Sequence, residues 1–160
     1  AFNGGALVND PAALEERRSW LQWSMLSQRW FPALHQPAYG DRAVVLTATD
    51  DLIGAVGLVP MVDVYDQIPE LRRGAEPLRR ANAEVGLFWA IDPAHQGHGY
   101  ATEAARTLID HAFETLNLAR ILATTEYGNL ASQAVMRRLG MRITRNPLPD
   151  PPWLQIVGVL

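Results

Sequence analysis

A glycine-rich segment, His-Gln-Gly-His-Gly-Tyr-Ala at 95–101, contains the residue types and spacing in this chain that best fit a binding function. It follows an apolar run at 84–91 and precedes a helical pattern at about 99–116, so it is predicted to join a strand to a helix. The first N–H groups of a helix lack intrahelical acceptors, and the helix dipole adds partial positive charge there. Gly97 and Gly99 let the backbone approach an anion closely. The segment is therefore predicted to bind a pyrophosphate through backbone amides.

Two glycines in a turn also fit simpler roles. In the simplest alternative the segment is a plain strand-to-helix connection, in which Gly97 and Gly99 serve backbone geometry alone. The glycine spacing matches neither the dinucleotide-binding fingerprint nor the P-loop, and no Gly-Lys-Ser/Thr is present. These mismatches oppose nucleoside triphosphate hydrolysis and leave a dehydrogenase only as a distant alternative.

The predicted elements around this turn alternate between strands and helices. In chain order they are a helix at 11–30, strands at 42–49, 52–59 and 84–91, a helix at 99–116, a strand at 121–125, a helix from Asn129 to Gly140, and strands at 141–144 and 153–160. The polar residues 60–83 are expected to form a long connection, which in a compact domain is usually functional or mobile. The order of elements after residue 83 indicates parallel pairing and the early hairpin indicates antiparallel pairing. The fold class is therefore predicted to be α/β (α+β) with a mixed sheet.

The amino-acid composition limits the number of domains, the classes of partner and the kinds of site that this chain can have. The 160 residues fit a single domain spanning 1–160, with 48% hydrophobic and 19% charged residues as in ordinary globular proteins. A formal net charge of -3 argues against nucleic acid as a partner, and the lack of cysteine excludes disulfides and thiolate metal sites. No apolar run approaches the roughly 20 residues of a membrane helix, and no secretory signal is visible. A cytoplasmic location without membrane association is expected.

The turn also carries a family motif. Gln-Gly-His-Gly-Tyr-Ala at 96–101 resembles the Gln/Arg-x-x-Gly-x-Gly/Ala signature of the GCN5-related N-acetyltransferases, the GNAT superfamily. The surrounding residues 84–105, together with Asn-Leu-Ala-Ser at 129–132 and Leu-Gly-Met at 139–141, are similar to the RimJ/RimL-like branch of ribosomal-protein acetyltransferases. The hairpin residues 53–58 are similar to that branch as well. Two ordered motifs in one chain are more specific than one glycine-rich loop.

The resemblance implies a fold and a co-substrate. The GNAT fold is a mixed, mostly antiparallel sheet flanked by helices, in which a central pair of parallel strands splays apart. In this chain that pair would be 84–91 and 120–126, and the gap between the strands would receive acetyl-CoA as co-substrate.

The resemblance also implies which residues bind acetyl-CoA. The backbone of Trp89, Ala90 and Ile91 would bind the pantetheine arm and polarise the acetyl carbonyl. Asn129 and Ser132 would lie beside the pantetheine or the thiol. The implied pyrophosphate-binding residues are Gln96, Gly97, His98, Gly99, Tyr100 and Ala101.

The implied chemistry is direct attack of an amine on the thioester in a ternary complex, so catalysis is mainly positioning and proton removal. Glu84 is the candidate base because it begins the strand that lines the gap; the alternative is a solvated residue at a strand start. Glu126 and Tyr127, at the end of the opposite strand, compete for this role. Met136 stands where the superfamily often has a proton-donating tyrosine, which leaves the general acid unassigned. The thiolate would then leave unassisted or take a proton from water.

Other polar and aromatic residues give weaker signals. The four histidines, His35, His95, His98 and His111, lack the spacing of a zinc site, so no metal is expected. The tryptophans at 20, 23 and 30 are expected to pack in the core, with the floor of an acceptor pocket as the alternative. The arginines at 72–80 fit a solvated loop or a surface for an acidic acceptor equally well.

The beginning of the chain departs from the family pattern. Family members usually have a strand and a helix ahead of the segment that resembles 14–21, and only about thirteen residues precede that segment here. The first strand and first helix are therefore expected to be missing, through truncation or replacement by a partner chain. A sheet edge exposed in this way would be compatible with a homodimer.

Two classes of function follow from these observations. The first is an N-acetyltransferase that transfers the acetyl group of acetyl-CoA to a primary amine, either a protein N-terminus or a small molecule. The second is a non-catalytic acyl-CoA-binding or interaction module on the same fold. The sequence does not identify the acceptor, because one scaffold serves many substrates.

Overall fold

The computed structural model describes residues 11–72, 74 and 80–160 of the chain. Its helices and strands are α1 (Pro11–Trp30), β1 (Gly40–Leu46), β2 (Asp51–Asp63), β3 (Asn82–Ile91), α2 (Tyr100–Asp110), β4 (Leu122–Thr125), α3 (Leu130–Arg138), β5 (Arg142–Arg145) and β6 (Ile156–Val159). A π-helical turn, His111–Thr115, continues α2. Every predicted helix and strand is present, and most boundaries differ from the predicted ones by a few residues.

The strands form a six-stranded sheet in the order β1-β2-β3-β4-β6-β5. β1 pairs with β2, β4 with β6 and β5 with β6, all antiparallel. β3 and β4 pair in parallel, with Gly86 opposite Leu122. The prediction of a mixed, mostly antiparallel sheet with one parallel pair is therefore confirmed.

The predicted connection at 60–83 was partly wrong. β2 continues to Asp63, and its last residues alternate between half-buried and exposed, as in a strand with one covered face. Short 3₁₀ turns follow, and they bury Tyr65 and Ile68, which are 1% and 0% exposed. This part of the chain belongs to the hydrophobic core because it packs against elements that are distant in the sequence. The local pattern of polar residues does not reveal such contacts. Of the predicted arginine group, 73 and 79 lie outside the described residues.

The chain divides into two compact units. In its described part the C-terminal unit comprises 60–72, 74, 80–87 and 117–160. Its hydrophobic core contains Tyr65, Ile68, Leu122, Leu154 and Val157. Two polar side chains are buried beside these apolar residues, and Nδ2 of Asn146 donates to Oε1 of Gln67 over 2.9 Å.

The N-terminal unit comprises 11–59 and 88–116 in its described part. Here α1 lies against β1 through Asp41, whose carboxylate accepts hydrogen bonds from Arg17 and Trp20. The rings of Trp20 and Trp23 lie 4.7 Å apart, but both residues are only half-buried, so they contact each other without joining the buried core as predicted. Trp30 does not join them, because its side chain is 56% exposed.

The prediction of a missing first strand and helix concerns residues outside the described part of the chain, and it stays a prediction. Within the described residues, β1 forms one edge of the sheet.

Candidate functional site

The turn after β3 is held by side chains that precede the glycines. Asp92 Oδ1 accepts a hydrogen bond from the Ala94 amide over 2.8 Å, and the Asp92 amide donates to the Ile53 carbonyl over 2.8 Å. Gln96 Nε2 donates a hydrogen bond to the Ile91 carbonyl over 2.9 Å. Gln96 therefore braces the turn through its side chain, in addition to any contact that it makes with a ligand.

Positive backbone angles redirect the chain between this brace and α2. Gly97 and Gly99 have φ values of 81° and 90°, a region that L-residues with a side chain rarely occupy. A Cβ placed on either glycine would meet no atom within 4 Å. The space around both glycines is therefore open, and they meet the backbone requirement of the turn. The close approach of a ligand stays a prediction.

The start of α2 provides the hydrogen-bond donors. The first intrahelical bond runs from the Glu103 amide to the Gly99 carbonyl over 3.0 Å. The amides of Tyr100, Ala101 and Thr102 precede this bond and so have no acceptor within the helix. Donors of this kind, combined with the helix dipole, suit an anion.

Two buried polar atoms flank the same turn. Within the described part of the chain, His95 Nδ1 and Thr102 Oγ1 are shielded from solvent and have no hydrogen-bond partner. The nearest carboxylate oxygen to His95 Nδ1, on Asp92, is 3.9 Å away. Buried polar atoms normally have partners, so these two atoms are exceptions beside the turn.

The side chains of His98 and Tyr100 stack on each other at the turn. Their rings stack with centroids 5.7 Å apart and an interplanar angle of 19°. His98 Nδ1 also lies 3.3 Å from the His95 carbonyl oxygen. The two rings are exposed or half-buried, so they can cover a ligand without being part of the core.

The residues predicted to bind the pantetheine arm come directly before this turn. Trp89, Ala90 and Ile91 are the last three residues of β3, and all three are half-buried. With 92–101 they form one continuous strand–turn–helix segment in the N-terminal unit. The segments predicted to bind the pantetheine arm and the pyrophosphate therefore follow one another within one strand–turn–helix segment.

A groove of about 770 Å³ lies in the same unit, between β1 and α2. Val45 and Ile53 line it on the strand side, and Tyr100, Glu103 and Leu108 line it on the helix side. This groove was not predicted from the sequence, because it depends on how β1 and α2 pack.

In the C-terminal unit, the candidate base Glu84 forms an ion pair. Arg120 Nε donates to Glu84 Oε2 over 2.7 Å, and Arg120 Nη2 donates to Glu84 Oε1. The Glu84 side chain is 7% exposed, so the alternative of a solvated strand-start residue is wrong. The hydrogen bond with Glu84 raises the pKa of Arg120 above its ordinary value. Arg120 was missed from the sequence, although it precedes the strand predicted to run beside that of Glu84.

Tyr65 lies in the electrostatic neighbourhood of this pair. Burial, together with the negative charges of Asp63 and Glu84, raises the pKa of Tyr65 above its ordinary value. Its hydroxyl is shielded from solvent and has no partner among the described residues. Tyr65 therefore stays neutral over the physiological pH range. The nearby Asp63 accepts a hydrogen bond from Trp153 Nε1 over 2.7 Å.

The other candidate bases have different environments. The Tyr127 hydroxyl donates to the Asn146 carbonyl over 2.6 Å, and the Arg145 guanidinium lies 3.7 Å from the centre of the Tyr127 ring. The Tyr127 hydroxyl is therefore already used as a donor to the backbone. Glu126 is exposed at the end of β4.

Asn129 and Ser132 begin α3. Asn129 Oδ1 accepts a hydrogen bond from the Ser132 amide over 3.0 Å, which confirms the predicted N-cap. The Asn129 side-chain oxygen is thus occupied, while its amide nitrogen and the half-buried Ser132 hydroxyl remain candidates for binding the co-substrate. Met136, further along α3, is fully buried and packs beside Gly158.

No cluster of three or more potential metal ligands occurs among residues 11–72, 74 and 80–160. In the same part of the chain, no helix combines the length and apolar character needed to cross a membrane.

Comparisons with known proteins agree with this arrangement. The model of the acetyltransferase (GNAT) domain matches residues 4–142. The chain is 38% identical over 97 residues to "Probable N-acetyltransferase YjcK" of Bacillus subtilis, which covers 60% of this chain and 45% of that protein. It is 43% identical over 51 residues to the FsC-acetyl coenzyme A-N(2)-transacetylase of Aspergillus fumigatus, which covers 32% of this chain and 22% of that protein. The chain therefore matches less than half of the length of either relative.

A solved structure is similar over nearly the whole chain. The acetyltransferase from Agrobacterium tumefaciens aligns with a TM-score of 0.65 and 25% identity, covering 98% of this chain and 75% of the other. Its similarity covers both compact units.

Proposed function

Because this chain belongs to the acetyltransferase (GNAT) domain family, we propose that it transfers the acetyl group of acetyl-CoA to a primary amine. The observation that carries the proposal is the strand–turn–helix segment 89–101. It combines open space in front of Gly97 and Gly99 with helix-start amides that have no acceptor within the helix. The A. fumigatus relative is named for acetyl-CoA, which supports the same donor here.

In this proposal the turn at 96–101 binds the pyrophosphate of acetyl-CoA. The amides of Tyr100 and Ala101, which have no acceptor within the helix, donate to the phosphate oxygens. The backbone at 89–91 binds the pantetheine arm. The contribution of Asn129 and Ser132 beside the thiol stays a prediction, because the observed bond between them is a helix cap.

The reaction needs no covalent enzyme intermediate. The neutral amine nitrogen attacks the thioester carbonyl carbon, the carbon–sulfur bond breaks, and coenzyme A leaves as a thiolate. The nitrogen loses one proton to a base, and the thiolate takes a proton from water, since Met136 cannot donate one. Because the pKa of a thiol lies only modestly above neutral, coenzyme A can leave as a thiolate and then be protonated by solvent near neutral pH.

Two carboxylates compete for the role of the proton-accepting group. Glu84 was predicted as the base, and this role stays a prediction. Both of its oxygens accept bonds from Arg120, so only the remaining lone pairs are available for a proton or a water. The exposed Glu126 is the competing carboxylate.

We further propose an acceptor of the kind used by the RimJ/RimL-like branch, either a protein N-terminus or a small-molecule amine. The similarity of residues 84–105 and 129–141 to that branch supports this proposal. Such acceptors suit the cytoplasm, where new protein N-termini and acetyl-CoA occur together.

A homodimer is the proposed assembly. Its support is that, within the described part of the chain, β1 forms an edge of the sheet beside an open groove, and such a strand edge can pair with a second copy. Light scattering should give twice the chain mass, and Val45→Glu, at a 43% exposed position of β1, should give a monomer. A monomeric mass for the unmodified chain would exclude this assembly.

Thiol release is the direct test of the activity. The chain has no cysteine, so a thiol reagent reports only free coenzyme A, and it has no lysine, so self-acetylation can occur only at its N-terminus. Peptides with free N-termini, polyamines and amino sugars form the acceptor panel. Amine-dependent thiol release with matching acetylation of the amine supports the proposal. Tight acetyl-CoA binding without release for any amine would favour the alternative, a non-catalytic acyl-CoA-binding module.

A further inference from the structure

The strand β2, which lies between β1 and β3 in the sheet, contains a bulge. In its register with β1, Gly54 is opposite Val44 and Leu52 is opposite Val45, so Ile53 is one extra residue in β2. An extra residue in one strand of an antiparallel pair bends that strand locally. Ile53 is 1% exposed, so the bend lies in the interior of the protein. We call Ile53 and Gly54 the β2 bulge.

The β2 bulge contacts the end of β3 in two ways. The Ile53 carbonyl accepts a hydrogen bond from the Asp92 amide over 2.8 Å. A Cβ on Gly54 would overlap the Ala90 carbonyl oxygen and would lie 2.8 Å from Cδ1 of Ile91. Glycine within a strand often allows another backbone to approach closely. Ile53 therefore holds the end of β3 by a hydrogen bond, and Gly54 makes room for it by having no side chain.

These contacts lie at the point where the strand becomes the turn. β3 ends at Ile91, and the β2 bulge, Asp92 and the whole of 89–101 belong to the N-terminal unit. Backbone groups cannot be reoriented by a rotamer change, so their position depends on the strand that packs beside them. The size of the residue at 54 therefore determines how closely β2 approaches the backbone predicted to bind the pantetheine arm.

We propose that Ile53 and Gly54 are positioning residues, which fix the end of β3 so that the backbone at 89–91 has the geometry needed to bind the pantetheine arm of acetyl-CoA. This inference rests on the proposed acetyl transfer. It assigns the β2 bulge a role that acts through the backbone of β3 and requires no contact between the bulge and the ligand.

Gly54→Ala tests this role, and a second glycine of β2 provides the matched control. A Cβ on Gly57 would overlap the Gly40 carbonyl oxygen and the Phe88 ring, and none of its three nearest atoms belongs to 89–92. Each substitution adds one methyl group to a close contact of the same strand, so both should lower the midpoint of urea unfolding. Only Gly54→Ala should displace the end of β3.

The binding of two ligands distinguishes this displacement from a general loss of structure. Gly54→Ala should weaken the binding of coenzyme A and of pantetheine by a similar factor, about tenfold, because both ligands contain the arm. Misplacement of the thioester should also lower kcat, by up to about a hundredfold. Gly57→Ala should leave both dissociation constants unchanged. Adding Ile91→Val to Gly54→Ala should recover little, because the overlap with the Ala90 carbonyl remains.

Amide hydrogen exchange gives a readout that needs neither ligand nor activity. In the unmodified protein the Asp92 amide should exchange slowly, because it donates to the Ile53 carbonyl. It should exchange faster in Gly54→Ala than in Gly57→Ala. Rapid exchange of the Asp92 amide in the unmodified protein would overturn the positioning role even if Gly54→Ala did not fold.

The outcomes separate this inference from the proposed function. An unmodified protein that binds coenzyme A and pantetheine but releases no thiol with any amine would overturn acetyl transfer, while the binding results still decide the positioning role. Equal binding losses in Gly54→Ala and Gly57→Ala, full recovery by Ile91→Val, or a loss for coenzyme A without one for pantetheine would overturn the positioning role alone. A loss confined to Gly54→Ala and shared by both ligands would support it.

Discussion

Replacing Gly99 by alanine tests whether the turn at 96–101 binds an anion as proposed. A second glycine in the chain provides a matched control. Gly99 has φ 90° and Gly140, which follows α3, has φ 84°. A Cβ at either position would meet no atom within 4 Å, so neither substitution causes a clash. The remaining cost is backbone strain, about 1–2 kcal/mol for an L-residue in the left-handed region. Gly99→Ala and Gly140→Ala should therefore lower the free energy of unfolding by similar amounts.

Their effects on coenzyme A binding should differ. The methyl group at Gly99 would occupy the space from which a pyrophosphate approaches the amides of Tyr100 and Ala101. Losing one hydrogen bond to a charged group removes about 1.5–3 kcal/mol, which corresponds to roughly a tenfold to 150-fold weaker dissociation constant. Gly140→Ala should leave the dissociation constant within about twofold of the original, since it changes no residue of the turn.

Calorimetric titration with coenzyme A and with pantetheine separates the contribution of the pyrophosphate to binding from that of the pantetheine arm. Pantetheine lacks the pyrophosphate, so Gly99→Ala should weaken coenzyme A binding strongly and pantetheine binding little. Urea unfolding of both variants checks that backbone strain lowers the free energy of unfolding by similar amounts. The assignment of the turn would be refuted by equal binding losses in Gly99→Ala and Gly140→Ala, or by a loss for pantetheine as large as that for coenzyme A.

Three further predictions concern the C-terminal unit. Tyr65→Phe should raise the free energy of unfolding by about 1 kcal/mol, because it removes a buried hydroxyl that has no partner among the described residues. Tyr127→Phe should lower it by about 1 kcal/mol, because it removes the bond to the Asn146 carbonyl; shifts of the urea midpoint in opposite directions are the check. Because the pKa of Tyr65 is raised in the folded protein, its share of stability is present below pH 10 and is lost above it, by at most about 1.4 kcal/mol per pH unit; unfolding at alkaline pH should show this slope in the unmodified protein and a shallower one in Tyr65→Phe. Asn129→Ala should lower stability by about 1 kcal/mol while Asn129→Asp keeps the cap; weaker coenzyme A binding in Asn129→Asp, measured by calorimetry, would support a contact of the Asn129 amide with the co-substrate.

Local pattern was sufficient for the segment that carries the proposed function. The apolar run before the turn, the two glycines and the helical spacing after it all act within about twenty residues, and the structure forms the strand, turn and helix in the predicted order. The Asn129 cap is equally local and was predicted correctly. These features follow from backbone geometry and hydrogen bonding between near neighbours, which the residue types specify directly.

Features that depend on distant contacts could not be predicted in the same way. Tyr65 and Ile68 lie in a segment that looks like a polar connection, and they are buried only because Leu122, Leu154 and Val157 cover them. The insertion of β6 between β4 and β5 likewise depends on pairing across the chain. The partner of Glu84 lies 36 residues away and becomes apparent only when the register of two parallel strands is known.

The same distinction explains why the donor side of the proposed reaction is better defined than the acceptor side. Acetyl-CoA is a constant ligand, and its pyrophosphate can be bound by amides of one continuous segment, whose geometry depends on Gly97 and Gly99. An acceptor amine has to be positioned and deprotonated by side chains, and the candidate bases Glu84, Glu126 and Tyr127 come from separate parts of the chain. Substitutions in the turn should therefore weaken acetyl-CoA binding whatever the acceptor, whereas substitutions that change acceptor preference should leave the dissociation constant of coenzyme A unaltered.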